Sequence, residues 1–149
     1  MTPNLKAFLD MIAWSEGTTR VPGNKDGYNV LVGGGLFTDM TNHPHQLIHV
    51  NMKLSSTAAG RYQLLAKYYD FYRKLLKLTD FSPASQDAIA IQQIKESAAL
   101  PDIEAGRFQK AVAKCAHIWA SLPGANYGQH ENKMAGLEAE YTKAGGKLA

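Results

Sequence analysis

An apolar stripe that runs into a carboxylic acid sets the strongest limit on the possible folds of this chain. Residues 2–16, Thr-Pro-Asn-Leu-Lys-Ala-Phe-Leu-Asp-Met-Ile-Ala-Trp-Ser-Glu, read as a helix. Thr2 suits the N-cap, and Pro3 suits the first helical position, where its missing N–H has no intrahelical partner to lose. Leu5, Phe8, Leu9 and Ile12 fall at i, i+3, i+4 and i+7 and define one apolar face. At roughly 100° per residue, Glu16 returns to about 20° from Leu5, so an acid continues that face. Gly17 then offers a C-terminal stop. Such a carboxyl loses water on folding and stands at the negative end of the helix dipole, and both effects raise its pKa. An acid kept protonated near neutral pH is what general acid catalysis requires. Helix geometry alone leaves an alternative open: a Glu at a fraying helix end, exposed or paired with Arg20 or Arg61.

Beyond this helix the pattern predicts a mainly α chain with one small β element, an α+β fold. Residues 18–27 are rich in turn residues and read as loop. Tyr28–Val32 reads as a strand, Gly33-Gly34-Gly35 as a turn, and Leu36-Phe37-Thr38 as the returning strand of a hairpin. Residues 41–57, with His43, Pro44, His45 and His49, read as loop with one short helical turn at most. Helices are expected over 58–77, from Ser82-Pro83 onward, near 103–119 and over about 131–143. This order describes a single domain, 1–149. Its small β-containing lobe covers about 18–57 and the remainder forms a helical lobe, with the acid at the wall of a cleft that suits an extended polymer.

Composition excludes several classes. With 149 residues the chain can bury a real core. Its net charge of +3 suits an acidic polymer or a cell envelope, but it is too small and too dispersed to argue for nucleic acid. Cys115 is the only cysteine, so no intrachain disulfide can form. Lys6 and Asp10 interrupt the N-terminal apolar residues, which argues against a signal peptide, and no run approaches membrane-spanning length. Accumulation in the cytoplasm of the producing cell is expected. With no long heptad pattern, the chain is expected to be a monomer. His43-Pro44-His45, with His49 and Asp39 nearby, matches no established zinc spacing; the reading is ordinary surface histidines and no metal.

Four stretches carry a family resemblance. Ala13-Trp14-Ser15-Glu16-Gly17-Thr18, Val32-Gly33-Gly34-Gly35-Leu36-Phe37-Thr38-Asp39, Thr57-Ala58-Ala59-Gly60-Arg61-Tyr62-Gln63 and Ile118-Trp119-Ala120-Ser121-Leu122-Pro123-Gly124 resemble, in the same order, the lambda-type phage endolysins. These are lysozyme-like lytic transglycosylases, and the resemblance spans about residues 5–146. It implies cleavage of the MurNAc–GlcNAc bond of peptidoglycan with formation of 1,6-anhydromuramic ends. Glu16 would protonate the leaving oxygen, and its conjugate base would assist attack by the muramic C6 hydroxyl. No cofactor is implied. A membrane-permeabilising, holin-type partner would give indirect access to the wall.

The same resemblance assigns substrate binding to Arg61, Tyr62 and Gln63 in the Gly-x-Tyr-Gln element. Asn126, Tyr127 and Gln129 in the loop after Pro123-Gly124 join them, an exposed aromatic flanked by amides being suited to sugars. The residues alone also allow Arg61 to be solvated and Tyr62 to be core. Most glycosidases use two carboxylates, so Asp26 and Asp39 are possible auxiliary acids, and a hydrolytic muramidase using one of them is the nearest rival. Asp26 also reads as a turn residue in Asn24-Lys25-Asp26-Gly27. The family pattern carries an acid where this chain has Asn29, a departure that argues against an essential second carboxylate there. A non-catalytic peptidoglycan-binding protein is a rival of another class. Trp119 is expected in the core, and Trp14, nearly opposite Leu5, against another element or in the cleft.

Overall fold

The computed structural model describes residues 1–126, 128 and 130–149, and within them the chain divides into two compact units. One is formed by Met1–Glu16 and Ile91–Ala149, the other by Gly17–Ala90. Six α-helices are described: α1 Pro3–Glu16, α2 Ala66–Leu75, α3 Pro83–Glu96, α4 Leu100–Glu104, α5 Phe108–Cys115 and α6 Met134–Lys143. Strands β1 Ile48–Asn51 and β2 Leu54–Ser56 form a two-stranded antiparallel sheet, and short 3-10 turns cover Thr18–Arg20 and Val32–Gly34. The mainly α, α+β expectation holds. None of these helices is long and apolar enough to cross a membrane.

In the first unit, α1 begins as its sequence dictates. The Leu5 N–H donates to Thr2 Oγ at 3.2 Å, and Gly17 leaves the helix with φ 83°. Its buried residues include Leu5, Phe8, Leu9 and Ile12, and α1 packs against α6 and α4. Phe8 meets Phe108 edge-on at 6.0 Å, and Phe108 lies 4.7 Å from Tyr141. The helix expected over 103–119 is instead two. Gly106, at φ 76°, separates α4 from α5, and a Cβ there would overlap the backbone of Lys147–Ala149. On α5, Phe108, Ala111, Val112 and Cys115 bury one face, and Trp119 beyond it is 2% exposed.

The second unit has a core of Leu31, Ala59, Leu64, Tyr69, Tyr72, Phe81 and Ile89. Here the expected hairpin is corrected. Val30 and Leu36 form a single antiparallel bridge, and a 3-10 turn through Gly33 and Gly34, both at positive φ, separates them. Two local bonds flank the bridge, Leu31 N–H to the Gly35 carbonyl at 2.7 Å and Phe37 N–H to the Asn29 carbonyl at 2.9 Å, and two others reach far along the chain. The Val32 N–H donates to the Ala58 carbonyl at 3.0 Å, and the Gly60 N–H donates to the Val30 carbonyl at 2.8 Å. The real strands lie within 41–57, expected to be loop. Their residues are mostly exposed on both faces, so no alternation marks them. An Asx turn, Lys53 N–H to Asn51 Oδ1 at 2.8 Å, joins them.

Two further expectations change. The helix of 58–77 starts only at Ala66, and it turns Tyr69 and Tyr72 inward while Tyr68, Phe71 and Leu75 stay exposed. His43 is not a surface histidine: it is 2% exposed, its ring lies 4.9 Å from Phe81 and 5.6 Å from Tyr69, and Nε2 bonds the Leu64 carbonyl at 2.8 Å. Burial pushes its pKa down, which keeps it neutral in the core.

Candidate active site

Glu16 is the last residue of α1 and is half-buried. Its Oε2 accepts a 2.5 Å hydrogen bond from Ser121 Oγ, which the loop after α5 supplies. Loss of water raises the Glu16 pKa from 4.5 to about 7, against the opposing pull of the Ser121 bond. The expected perturbation is therefore present, and its dominant cause is desolvation. Behind Ser121 the polar chain continues. Ser15 Oγ lies 2.7 Å from Ser121 Oγ, and Asn132 Nδ2 reaches Ser15 Oγ at 3.0 Å and the Ser15 carbonyl at 3.1 Å. Asn132 is itself fixed, since its N–H donates to the Ser121 carbonyl at 2.7 Å.

After Ser121, Gly124 and Asn126 are braced by Glu131, whose carboxylate accepts from their N–H groups at 3.1 Å and 3.0 Å. Asn126 is exposed and held at φ 60°, a conformation that Asn tolerates better than most residues. Tyr127 and Gln129 lie outside the described residues.

In the other unit, Gly60–Gln63 forms a turn and not a helix start. Gly60 takes φ 86°, and a Cβ there would overlap the Gln86 amide and approach Phe81 to 2.9 Å. Gln86 ties the turn down: its Oε1 accepts from the Arg61 N–H at 2.8 Å, and its Nε2 donates to the carbonyls of Phe81 and Tyr28. Arg61 is buried, with Nε donating to the Asp26 carbonyl at 2.7 Å and an NH1 donating to Tyr62 Oη at 2.9 Å. Its guanidinium also lies over the rings of Tyr28 and Tyr62. Tyr62 is 5% exposed and donates to Asp87 Oδ1 at 2.6 Å; Tyr28 donates to the same carboxylate. Burial and Asp87 hold both phenols protonated, with Tyr28 pushed up to about 12 and Tyr62 raised further. Gln63 sits at φ 54° and is half-buried, its Nε2 donating to the carbonyls of Gly60 and Val30.

The auxiliary acids are both exposed turn residues. Asp26 has φ 52° and contributes its carbonyl to Arg61. Asp39 Oδ1 accepts from Thr41 Oγ at 2.6 Å and the Thr41 N–H at 2.9 Å, and these bonds lower its pKa. Asn29, where the family pattern has an acid, is buried and uses both ends of its amide. Oδ1 accepts from the Lys25 N–H at 2.8 Å, and Nδ2 reaches the Gly23 carbonyl at 3.4 Å. Among the described residues, no group of three or more His, Cys, Asp or Glu is disposed to hold a metal.

Sequence reading missed Ser121 and Asn132 as partners of the acid, and Gln86, Asp87 and Glu131 as braces. Ser121 stood in a motif, but a serine 105 positions from Glu16 carries no signal of pairing with it.

A half-buried, protonatable acid ending the first helix, in a mainly helical chain with one small sheet, defines the class of lysozyme-like glycosidases. The comparisons narrow it. A family model described as Endolysin matches residues 6–148. The endolysin of Escherichia phage lambda is 58% identical over 145 residues, covering 96% of this chain and 92% of that protein. The endolysin of Escherichia phage P2 is 47% identical, covering 96% and 93%. A solved structure of bacteriophage lambda lysozyme complexed with a chitohexasaccharide superposes with a TM-score of 0.98 at 55% identity, over 100% of this chain and 98% of that one. A second lambda lysozyme structure gives 0.93 at 54% identity, with the same coverage. The chain belongs to the endolysin family.

Proposed function

We propose that this endolysin cleaves the MurNAc–GlcNAc bond of peptidoglycan by lytic transglycosylation, with Glu16 as acid and then base. The observation that carries the reading is the Glu16 carboxyl, held near neutrality by desolvation and bonded to a neutral hydroxyl. In the first step Glu16 gives its proton to the glycosidic oxygen as the C1–O bond breaks. Its carboxylate then takes the proton of the muramic C6 hydroxyl, whose oxygen bonds to C1 and closes the 1,6-anhydro ring. Glu16 ends protonated and no water is consumed. One carboxyl serves both steps because the first creates the base that the second needs.

Two features support a single acid over a pair. Asn29 has an amide where the family pattern has a carboxylate, and Asp39 Oδ1 is engaged by Thr41 in a local turn. That lambda lysozyme forms a complex with a chitohexasaccharide supports a glycan substrate. Gln63, Asn126, Tyr127 and Gln129 supply amide and aromatic contacts to the sugars in this reading. Arg61 and Tyr62, with their polar ends engaged by Asp26 and Asp87, act through the shape of the turn that carries Gln63. The whole chain works as one catalytic domain and as a monomer. It is stored in the host cytoplasm until a holin-type partner opens a path to the wall.

Mass spectrometry of fragments released from purified peptidoglycan tests the reaction. Muropeptides lighter by one water and resistant to borohydride are expected, and Glu16→Gln should lower release by about 100-fold or more. Reducible muramic ends would make the enzyme a hydrolase and send the search to Asp26→Asn and Asp39→Asn. Undiminished lysis by Glu16→Gln would remove the acid from the mechanism.

A further inference from the structure

The polar chain behind Glu16 has a direction that its atoms dictate. A backbone carbonyl only accepts, so the Asn132 group 3.1 Å from the Ser15 carbonyl is the NH2 end of the amide. The same nitrogen lies 3.0 Å from Ser15 Oγ, and its two protons match these two acceptors. Ser15 Oγ thus accepts from Asn132 and has its single proton left for Ser121, 2.7 Å away. Ser121 accepts from Ser15 and has its own proton left for Glu16 Oε2. Were Ser121 the donor to Ser15 instead, Ser15 Oγ would accept from both neighbours and its own proton would have no acceptor among its described partners, since the Asn132 NH2 group has no lone pair to receive it.

We propose that Ser121, ordered by Ser15 and Asn132, is a positioning residue that reserves Glu16 Oε2 as an acceptor and so confines the acidic proton to Oε1. This inference rests on the reading of Glu16 as the catalytic acid and specifies which of its two oxygens delivers the proton. Two of the influences on the carboxyl then have separate tasks. Desolvation raises its pKa towards neutrality, and the Ser121 hydroxyl fixes where the proton is. The same hydroxyl bonds the carboxylate left after proton transfer, when the bond is stronger because its acceptor is charged.

Infrared difference titration of the free enzyme, labelled with 13C at glutamate carboxyls and referenced to Glu16→Gln, reads both the proton's position and the pKa without turnover. With the proton on Oε1, the carbonyl oxygen of the neutral acid is Oε2, which accepts from Ser121. Ser121→Ala should therefore move the C=O band to higher wavenumber. It should also raise the titration midpoint by about one pH unit, the size of one lost hydrogen bond to a charged group. Ser121→Thr, which keeps the hydroxyl, should restore both. Asn132→Leu, which keeps the volume but cannot donate, should split or broaden the band as the second proton position becomes accessible. An unmoved band in Ser121→Ala would put the proton on Oε2 and overturn the proposal. A Thr variant that behaves like Ala would assign the effect to packing and overturn it equally. Because no product is measured, a hydrolytic outcome with peptidoglycan would leave this result standing, and the two failures are separable.

Discussion

At Glu16, stability and chemistry pull in opposite directions. A carboxyl whose pKa is raised from 4.5 to about 7 holds more protons folded than unfolded across that interval, so the folded state loses stability as pH rises through it. The loss is complete about one unit above the folded pKa and amounts to about 3 kcal/mol at 1.36 kcal/mol per pH unit. Glu16→Gln, which cannot ionise, is therefore expected to match the wild type near pH 4 and to melt at higher temperature at pH 8. Calorimetry at the two pH values checks this, and equal melting temperatures at pH 8 would mean that the carboxyl is not desolvated. The acid's position and its raised pKa were legible in residues 2–17, because helix periodicity and a terminal glycine are local. Its partners were not. Ser121 and Asn132 come to it over more than a hundred positions, and neither residue type signals such a role alone.

Among the elements, the 57–65 turn shows how a backbone conformation carries a site. Gly60 at φ 86° lets Gln86 close over the backbone, and that amide fixes Arg61, Phe81 and Tyr28 together. Gly60→Ala would impose both left-handed strain and a collision. The expected cost is about 2–4 kcal/mol, with disturbance of the Gln63 side chain on the same turn. Urea unfolding measures the first, and an unchanged midpoint would show that neither the left-handed strain nor the Gln86 contact costs stability. The Gly-x-Tyr-Gln pattern was visible in the sequence, but a helix was expected around it because Leu64, Tyr68, Phe71 and Leu75 have helical spacing. The bonds that the Val32 and Gly60 N–H groups donate to the Ala58 and Val30 carbonyls, and the turn closed by the paired Ala59 and Leu64, keep the segment out of the helix until Ala66. In 28–38 the local ladder stops at the two bonds around the Val30–Leu36 bridge, Leu31 N–H to Gly35 and Phe37 N–H to Asn29, while the Val30 carbonyl and the Val32 N–H pair with Gly60 and Ala58.

For the molecule as a whole, charge has little net excess, 16 basic against 13 acidic side chains, and its effect on stability lies in particular pairs. Asp102 is 4% exposed and receives Lys114 Nζ at 2.6 Å and Arg107 Nε at 2.7 Å, which lower its pKa. Asp39 and Asp80 are lowered by hydroxyl and backbone donors. A depressed carboxyl contributes stability that is present above its unfolded pKa, near 3.8, and is lost as pH falls through the folded value. Thermal stability should thus fall steeply below about pH 4. Asp102→Asn should be destabilised at pH 7 and indistinguishable from the wild type near pH 2, as thermal melts followed by circular dichroism would show. A deficit that persisted at pH 2 would assign the role of Asp102 to packing.

The sequence by itself determined the mainly helical class, the first helix with its cap and stop, and the acid that ends it. Its ordered motifs also determined the family. These are properties of period, of residue type and of neighbours within a turn or two, and they survive without knowledge of contacts. Only the tertiary structure decided that 48–56 pairs as strands, that His43 is core, that Arg61 and Tyr62 are braced by Asp26 and Asp87, and that a file of three polar side chains ends on one oxygen of Glu16. Apart from the exposed and locally paired strands, each of these depends on which distant group supplies a hydrogen-bond partner once water is removed, and burial creates that demand only when the chain has closed on itself.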